Sequence, residues 1–558
     1  MPIKCSKLIG ALAFAVSSVA ILSATALQAG DRSMHPIDGD PVQTQGGRVA
    51  GTELPSGVKA YLGIPFAAPP TGDLRWAPPR AASWTGVFNA DRKGPACMQV
   101  LRPHDINHYF GEEAIAEDCL TMNVWAPPTS RPGKKRPVVV FIYGGGFTIG
   151  SSGMANYDGE AVAKAGAVFV NFNYRVGALG FLAHPELTRE QGGASGNYGL
   201  MDQAAALRWV QANIAQFGGD PAKVVIMGQS AGAFSVAAQV VSPASRGMFR
   251  AAVMSSGCNL RTSFMSLPDA EKLGVALQEK LGTHSFAQMR MVPADRIVSL
   301  QSETQLGMSV SGVRVTGPII DGHFLTHQPA EAVAAGDFAH VPIVAGFNDD
   351  DLSFGFEALA GASTVTEYQA AATRMFGADA PAFLSLYPAD SDAQVRSEAR
   401  HATQDGVLGA WARSCASDTA KAGVPTYIAN FVRRHPYIPG VKLADQDTAT
   451  VGAYHNADIP YWFGTQDAYN SIRPTRAWTS WDRTLSQQMM GALITLAETG
   501  SPNTTIMPWK PWSPRNDTVL TLGDTVKVTK FDIAGQAWLA AHKPAGSSQP
   551  PRLSRPRD

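Results

Sequence analysis

Short apolar, β-branched runs recur along the chain at 138–143, 168–173, 224–227, 251–255, 341–345 and 426–431, several of them apolar at nearly every position. A strand with one wet face alternates apolar and polar side chains, whereas one covered on both faces is apolar throughout. The runs therefore predict strands of a mostly parallel sheet lying between helices. The intervening stretches agree. Residues 200–216 carry apolar side chains at helical spacing, and 231–241 predict a helix that opens directly after a strand. Residues 268–306 and 364–413 are helix-patterned and lack strong strand runs, so they are expected as insertions or a cap on an α/β fold.

Both ends of the chain depart from this pattern. Lys4 and Lys7 precede an apolar run at 8–22, and the small residues Ala24, Ala26 and Ala29 follow. That order predicts an export signal cleaved after Ala26 or Ala29, and the apolar run is short for a membrane span. Residues from 544 onward are rich in Pro, Ser and Arg and poor in apolar groups, which predicts a disordered tail. One catalytic-size domain over 30–543 remains, expected to be periplasmic or secreted and not inserted in a membrane. Across all 558 residues, 46 basic side chains balance 46 acidic ones, so the basic surface that nucleic acid requires is missing. Composition leaves an enzyme or a binding protein, and it does not address the oligomeric state.

Five cysteines fall to four when Cys5 leaves with the signal. Cys97, Cys119, Cys258 and Cys415 then enter a compartment where disulfides persist, with three pairings formally open. A bridge from Cys97 to Cys119 would close a short loop. No CxxC pair or HExxH helix accompanies these residues, so neither a metal nor any other cofactor is expected.

The segment Gly228-Gln229-Ser230-Ala231-Gly232 fits GxSxG and falls between the predicted strand at 224–227 and the helix at 231–241. A serine on a sharp strand-to-helix turn projects its oxygen off the sheet, and the helix N-terminus behind it favours developing negative charge. Upstream, the run at 138–143 leads straight into Gly144-Gly145-Gly146-Phe147. Glycines there can turn their N–H groups inward, so the amides of Gly145, Gly146 and Ala231 are the candidate oxyanion hole.

Taken together, Glu117-Asp118-Cys119-Leu120, Asn123-Val124-Trp125, Tyr143-Gly144-Gly145-Gly146-Phe147, Asn173-Tyr174-Arg175-Val176-Gly177, Gly196-Asn197-Tyr198-Gly199-Leu200-Met201-Asp202-Gln203 and Phe217-Gly218-Gly219-Asp220-Pro221 resemble the type-B carboxylesterases. These form the cholinesterase-like branch of the α/β-hydrolases. The resemblance spans about 47–512 in unbroken order. It implies a mixed, mostly parallel sheet with helices on both faces, helical insertions around a deep pocket, and a disulfide between Cys97 and Cys119. It implies nothing for Cys258 and Cys415.

The resemblance also assigns the remaining catalytic groups. Gly452-Ala453-Tyr454-His455-Asn456-Ala457-Asp458 is similar to the family's catalytic-histidine segment, which makes His455 the base. The acid falls on Asp351 in Gly346-Phe347-Asn348-Asp349-Asp350-Asp351, where the family usually carries Glu. With Ser230 this gives the chain order Ser, Asp, His expected for the fold. Two further departures concern the pocket. Gln229 stands where the family commonly has Glu, and Tyr109, followed by Phe110, stands where cholinesterases stack choline on Trp. Tyr attracts a cation less than Trp does, and a carboxylate is missing, so a neutral small-molecule ester is the expected substrate. Non-catalytic relatives typically lack the nucleophile or base, both of which are present here. Acyltransferases and amide or carbamate hydrolases use the same triad, and the acceptor depends on the pocket.

Overall fold

The computed structural model describes residues 36–128, 135–300, 304–305, 308–309 and 317–542. The signal assigned to 1–29 and the tail from 544 lie outside the described residues. Eleven strands make one sheet: β1 (Thr52–Glu53), β2 (Lys59–Pro65), β3 (Thr121–Ala126), β4 (Arg136–Ile142), β5 (Val168–Phe172), β6 (Gly219–Gln229), β7 (Ala251–Ser255), β8 (Ile343–Asn348), β9 (Thr426–Phe431), β10 (Thr518–Leu522) and β11 (Val526–Lys530). Their order across the sheet is β11-β10-β9-β8-β7-β6-β4-β5-β3-β2-β1. From β10 to β5 every neighbouring pair is parallel. The pairs at either margin are antiparallel.

The six runs predicted as strands are β4 to β9, the centre of the sheet. Val138 to Ile142 of β4 and all of β5 and β7 are buried, as strands covered on both faces must be. The main helices are α1 (Tyr198–Asn213), α2 (Ala231–Val241), α3 (Asp392–Gly406), α4 (Leu408–Lys421), α5 (Ser480–Thr499) and α6 (Ile533–Ala541), of which α3 packs on α4 and α6 on α3. Helix α2 packs on β6 and β7, α4 on β8 and β9, and α5 on β4 and β6. The helix expected at 200–216 ends as α1 at Asn213, and its last turn tightens to a 3₁₀ segment, Ile214–Phe217, that closes on Gly218 with φ of +80°. Residues 364–413 fold as the expected helical insertion, ending in α3 and the start of α4.

Two disulfides join distant parts. Cys97 bonds to Cys119, as the resemblance implied, and Cys258, just beyond β7, bonds to Cys415 in α4. The second pairing was left open by the sequence and is now assigned.

Candidate active site

Strand β6 ends at Gln229 and α2 begins at Ala231, leaving Ser230 alone on the turn with φ +58° and ψ −127°. A non-glycine residue in that region is strained and persists only where its surroundings fix it. Here they do. Ser230 N–H donates to the Ser255 carbonyl at the end of β7 (2.9 Å), while the Ser230 carbonyl accepts from Ala233 and Phe234 N–H in the first turn of α2. The two flanking glycines are required by contact. A Cβ on Gly228 would fall 2.1 Å from the Gly232 carbonyl oxygen, and one on Gly232 would fall 2.0 Å from that of Ile142.

The loop after β4 passes beside this turn, and a Cβ on Gly144 would lie 2.9 Å from Ser230 Cβ. Gly145, with φ +108°, adopts a conformation that side chains resist, and its carbonyl turns away to accept from Thr148 and Ile149 N–H. Among the described residues, the N–H groups of Gly145 and Gly146 donate to no protein acceptor. That of Ala231, first in its helix, has no intrahelical partner either. Three free donors thus lie on the chain segments that flank Ser230, two after β4 and one on α2.

Beyond β8 the chain presents three aspartates, and each turns to a different neighbour. Asp351 Oδ1 lies 2.5 Å from His455 Nδ1. Its carboxylate also accepts from Ser256 Oγ (2.5 Å), Asn348 N–H (3.0 Å) and Leu352 N–H (2.9 Å). Burial pushes this carboxyl up, but His455 and the donated hydrogen bonds outweigh burial and hold it below the ordinary carboxylate value. Asp350 instead accepts from Gly452 N–H (2.7 Å) and pairs with Arg400 (3.0 Å), and Asp349 accepts from Gln404. The structure therefore brings Asp351, not its neighbours, to His455. Its imidazole and the Ser230 hydroxyl are not hydrogen-bonded to each other.

Gln229 is fully buried, and its side-chain amide lies 3.2 Å from His455 Nε2 and 3.4 Å from Nδ1. The pocket pair fares differently. Phe110 is buried with its ring edge on Tyr469, and Tyr109 packs at a tilt on His104, so neither makes a ring contact with His455. It is the preceding residue, His108, that packs against Tyr454, the neighbour of His455. Burial and the adjacent His455 push the His108 imidazole well below its ordinary value.

Sequence reasoning missed the supports. Ser256, itself at φ +54°, aims its hydroxyl at Asp351, and Ser255 Oγ donates to buried Asp458 (2.5 Å). Asp458 also accepts from Asn348 Nδ2 and Trp462 Nε1, and burial raises its carboxyl above the ordinary value. The missed signal was modest: Ser255-Ser256 at the C-terminal end of a strand beside the nucleophile.

The family model for carboxylesterases matches residues 38–537. The chain belongs to the carboxylesterase family. A fumonisin B1 esterase from Sphingopyxis macrogoltabida is 35% identical over 492 residues, covering 87% of this chain and 86% of that protein. The para-nitrobenzyl esterase of Bacillus subtilis strain 168 is 32% identical over 496 residues, covering 87% and 95%. A solved structure of a PNB esterase superposes with a TM-score of 0.71 at 28% identity, across 91% of this chain and 99% of that one. This carboxylesterase therefore has the α/β-hydrolase fold and is a serine ester hydrolase acting on small-molecule esters.

Proposed function

We propose that this carboxylesterase cleaves neutral esters through an acyl-enzyme, with Ser230 as nucleophile, His455 as base and Asp351 as its orienting acid. The 2.5 Å contact between Asp351 and His455 Nδ1, beside a serine held on a strained turn, carries the reading. Ser230 Oγ attacks the ester carbonyl while His455 Nε2 takes its proton. The tetrahedral oxyanion is held by the N–H groups of Gly145, Gly146 and Ala231. His455 then returns the proton to the departing alkoxide, leaving the acyl group on Ser230. Water repeats the sequence and releases the acid. The short approach of Oγ to Nε2 belongs to the substrate complex, since such hydrogen bonds tighten there.

The neutral preference rests on Gln229, which places an uncharged amide against the imidazole where a carboxylate would attract cations. Export from the cytoplasm is supported by the two disulfides, which persist in oxidising compartments. Replacing Ser230 or His455 by Ala is expected to lower p-nitrophenyl ester turnover by orders of magnitude in folded protein, leaving the residual contribution of binding and the oxyanion donors. A fluorophosphonate should label Ser230 in the native chain and fail on Ser230→Ala. Near-native turnover in either alanine variant would dismiss the triad.

A further inference from the structure

Away from the active site, α3 and the start of α6 bring His401, Asp405 and Asp532 together, with one ligand atom from each, all within 4.8 Å of one another. His401 and Asp405 are four residues apart on α3 and so share one face. His401 Nε2 lies 3.4 Å from Asp405 Oδ2 and 3.7 Å from Asp532 Oδ2. Tetrahedral ligation at Zn–N and Zn–O lengths of about 2.0–2.2 Å puts ligand atoms about 3.3–3.6 Å apart, so both edges are close to that spacing.

Each of these side chains is already oriented by a partner outside the trio. Tyr387 Oη donates to Asp405 Oδ2, the oxygen that also faces His401 (3.0 Å), and Gln536 Nε2 from α6 reaches Oδ1 (3.3 Å). Asp532 uses Oδ1 to cap α6 through Gly535 N–H (3.0 Å), which leaves Oδ2 facing His401. Glu398 stands 3.8 Å from His401 Nδ1, on the side of the ring away from the two aspartates. A carboxylate behind the ring and donors to the carboxylates are the supports that orient metal ligands.

The charge count points the same way. Among the described residues, Glu398, Asp405 and Asp532 pair with no lysine or arginine, and His401 alone faces all three. Asp405 is buried, and a buried carboxylate needs a partner for its charge. A bound cation would balance these carboxylates. His401 is close to half exposed, which leaves open positions for water ligands. Imidazole beside two carboxylates favours a transition metal over calcium or magnesium, which prefer all-oxygen sites.

We propose that His401, Asp405 and Asp532 form a structural site for a divalent transition metal that fastens α6 to α3. The test uses the full chain, stripped with chelator and titrated with Zn²⁺ in a calorimeter, with thermal unfolding followed in parallel. One equivalent should bind saturably and raise Tm by a few degrees. His401→Gln and Asp532→Asn should each weaken that binding at least tenfold and abolish the Tm gain. Asn still caps a helix, so the second variant keeps α6, and circular dichroism verifies both folds. Equal Zn²⁺ affinity in both variants, absence of a one-to-one phase, or Ca²⁺ binding as tight as Zn²⁺ would overturn the assignment.

Discussion

Asp349, Asp350 and Asp351 carry the same functional group in consecutive positions, and the backbone turn after β8 sends them to Gln404, to Gly452 with Arg400, and to His455 respectively. Asp351→Asn should therefore reduce kcat by up to about 10⁴-fold, through an amide that stabilises the wrong imidazole tautomer. Asp349→Asn and Asp350→Asn should cost far less; steady-state kinetics on the three variants separates them. Gln229 allows a second test. A carboxylate in its place would favour the imidazolium on His455, so Gln229→Glu is expected to move the acid limb of kcat/KM to higher pH. It should also raise the turnover of butyrylcholine relative to a neutral butyrate ester of similar size. An unmoved limb and ratio would remove the neutral-ester reading. The family motif pointed to Asp351, the member of the triplet that lies against His455, but it could not show Ser256, because a serine at a strand end has no pattern that separates a carboxylate donor from an ordinary loop residue.

At the scale of elements, what could be read in advance was set by burial. Strands β4 to β9 are covered on both faces and announce themselves as apolar runs. The margins do not: β1 has two residues, β2 contains Gly63 and a register shift between Tyr61 and Ile64, and β11 is mostly solvent-facing with Lys527 and Lys530 along it. Helix α5 shows the value of a local device. Its N-cap Thr479 accepts from Asp482 N–H, and Asp482 in return accepts from Thr479 N–H, Thr479 Oγ1, Arg433 and Tyr461. Asp482 is fully buried; burial opposes its charge, but these donors prevail and hold it at about 2 against an ordinary 3.8. The depressed value means that its stabilisation is present above pH 3.8 and is lost as pH falls toward 2. Asp482→Asn should thus lower stability by about 2 kcal/mol at neutral pH, a gap that closes near pH 2 in urea titrations.

Over the whole molecule, the insertion that supplies α3 and α4 is tied back to the catalytic centre. Cys258 follows Ser256, the residue that holds Asp351, and its disulfide to α4 spans 157 positions of sequence. Closing a loop of that length restricts the unfolded chain more than closing the 22-position loop of Cys97 and Cys119. Replacing Cys258 and Cys415 together by Ala is expected to cost about 5 kcal/mol in denaturant unfolding, and the shorter pair about 3 kcal/mol. Equal losses would mean that native packing, not loop entropy, governs both bonds.

The same disulfide divides the proposed triad by topology. Asp351 rides on the closed ring between Cys258 and Cys415, whereas Ser230 and His455 lie on the two arms that leave it. A protease that cuts once anywhere within the ring therefore produces a nicked protein that migrates as one species without reductant and as two with it. Both arms remain bound to the fragments that flank the cut, so Asp351, His455 and Ser230 stay on one covalent object. Proteolytic damage to the insertion is thereby uncoupled from dissociation of the enzyme.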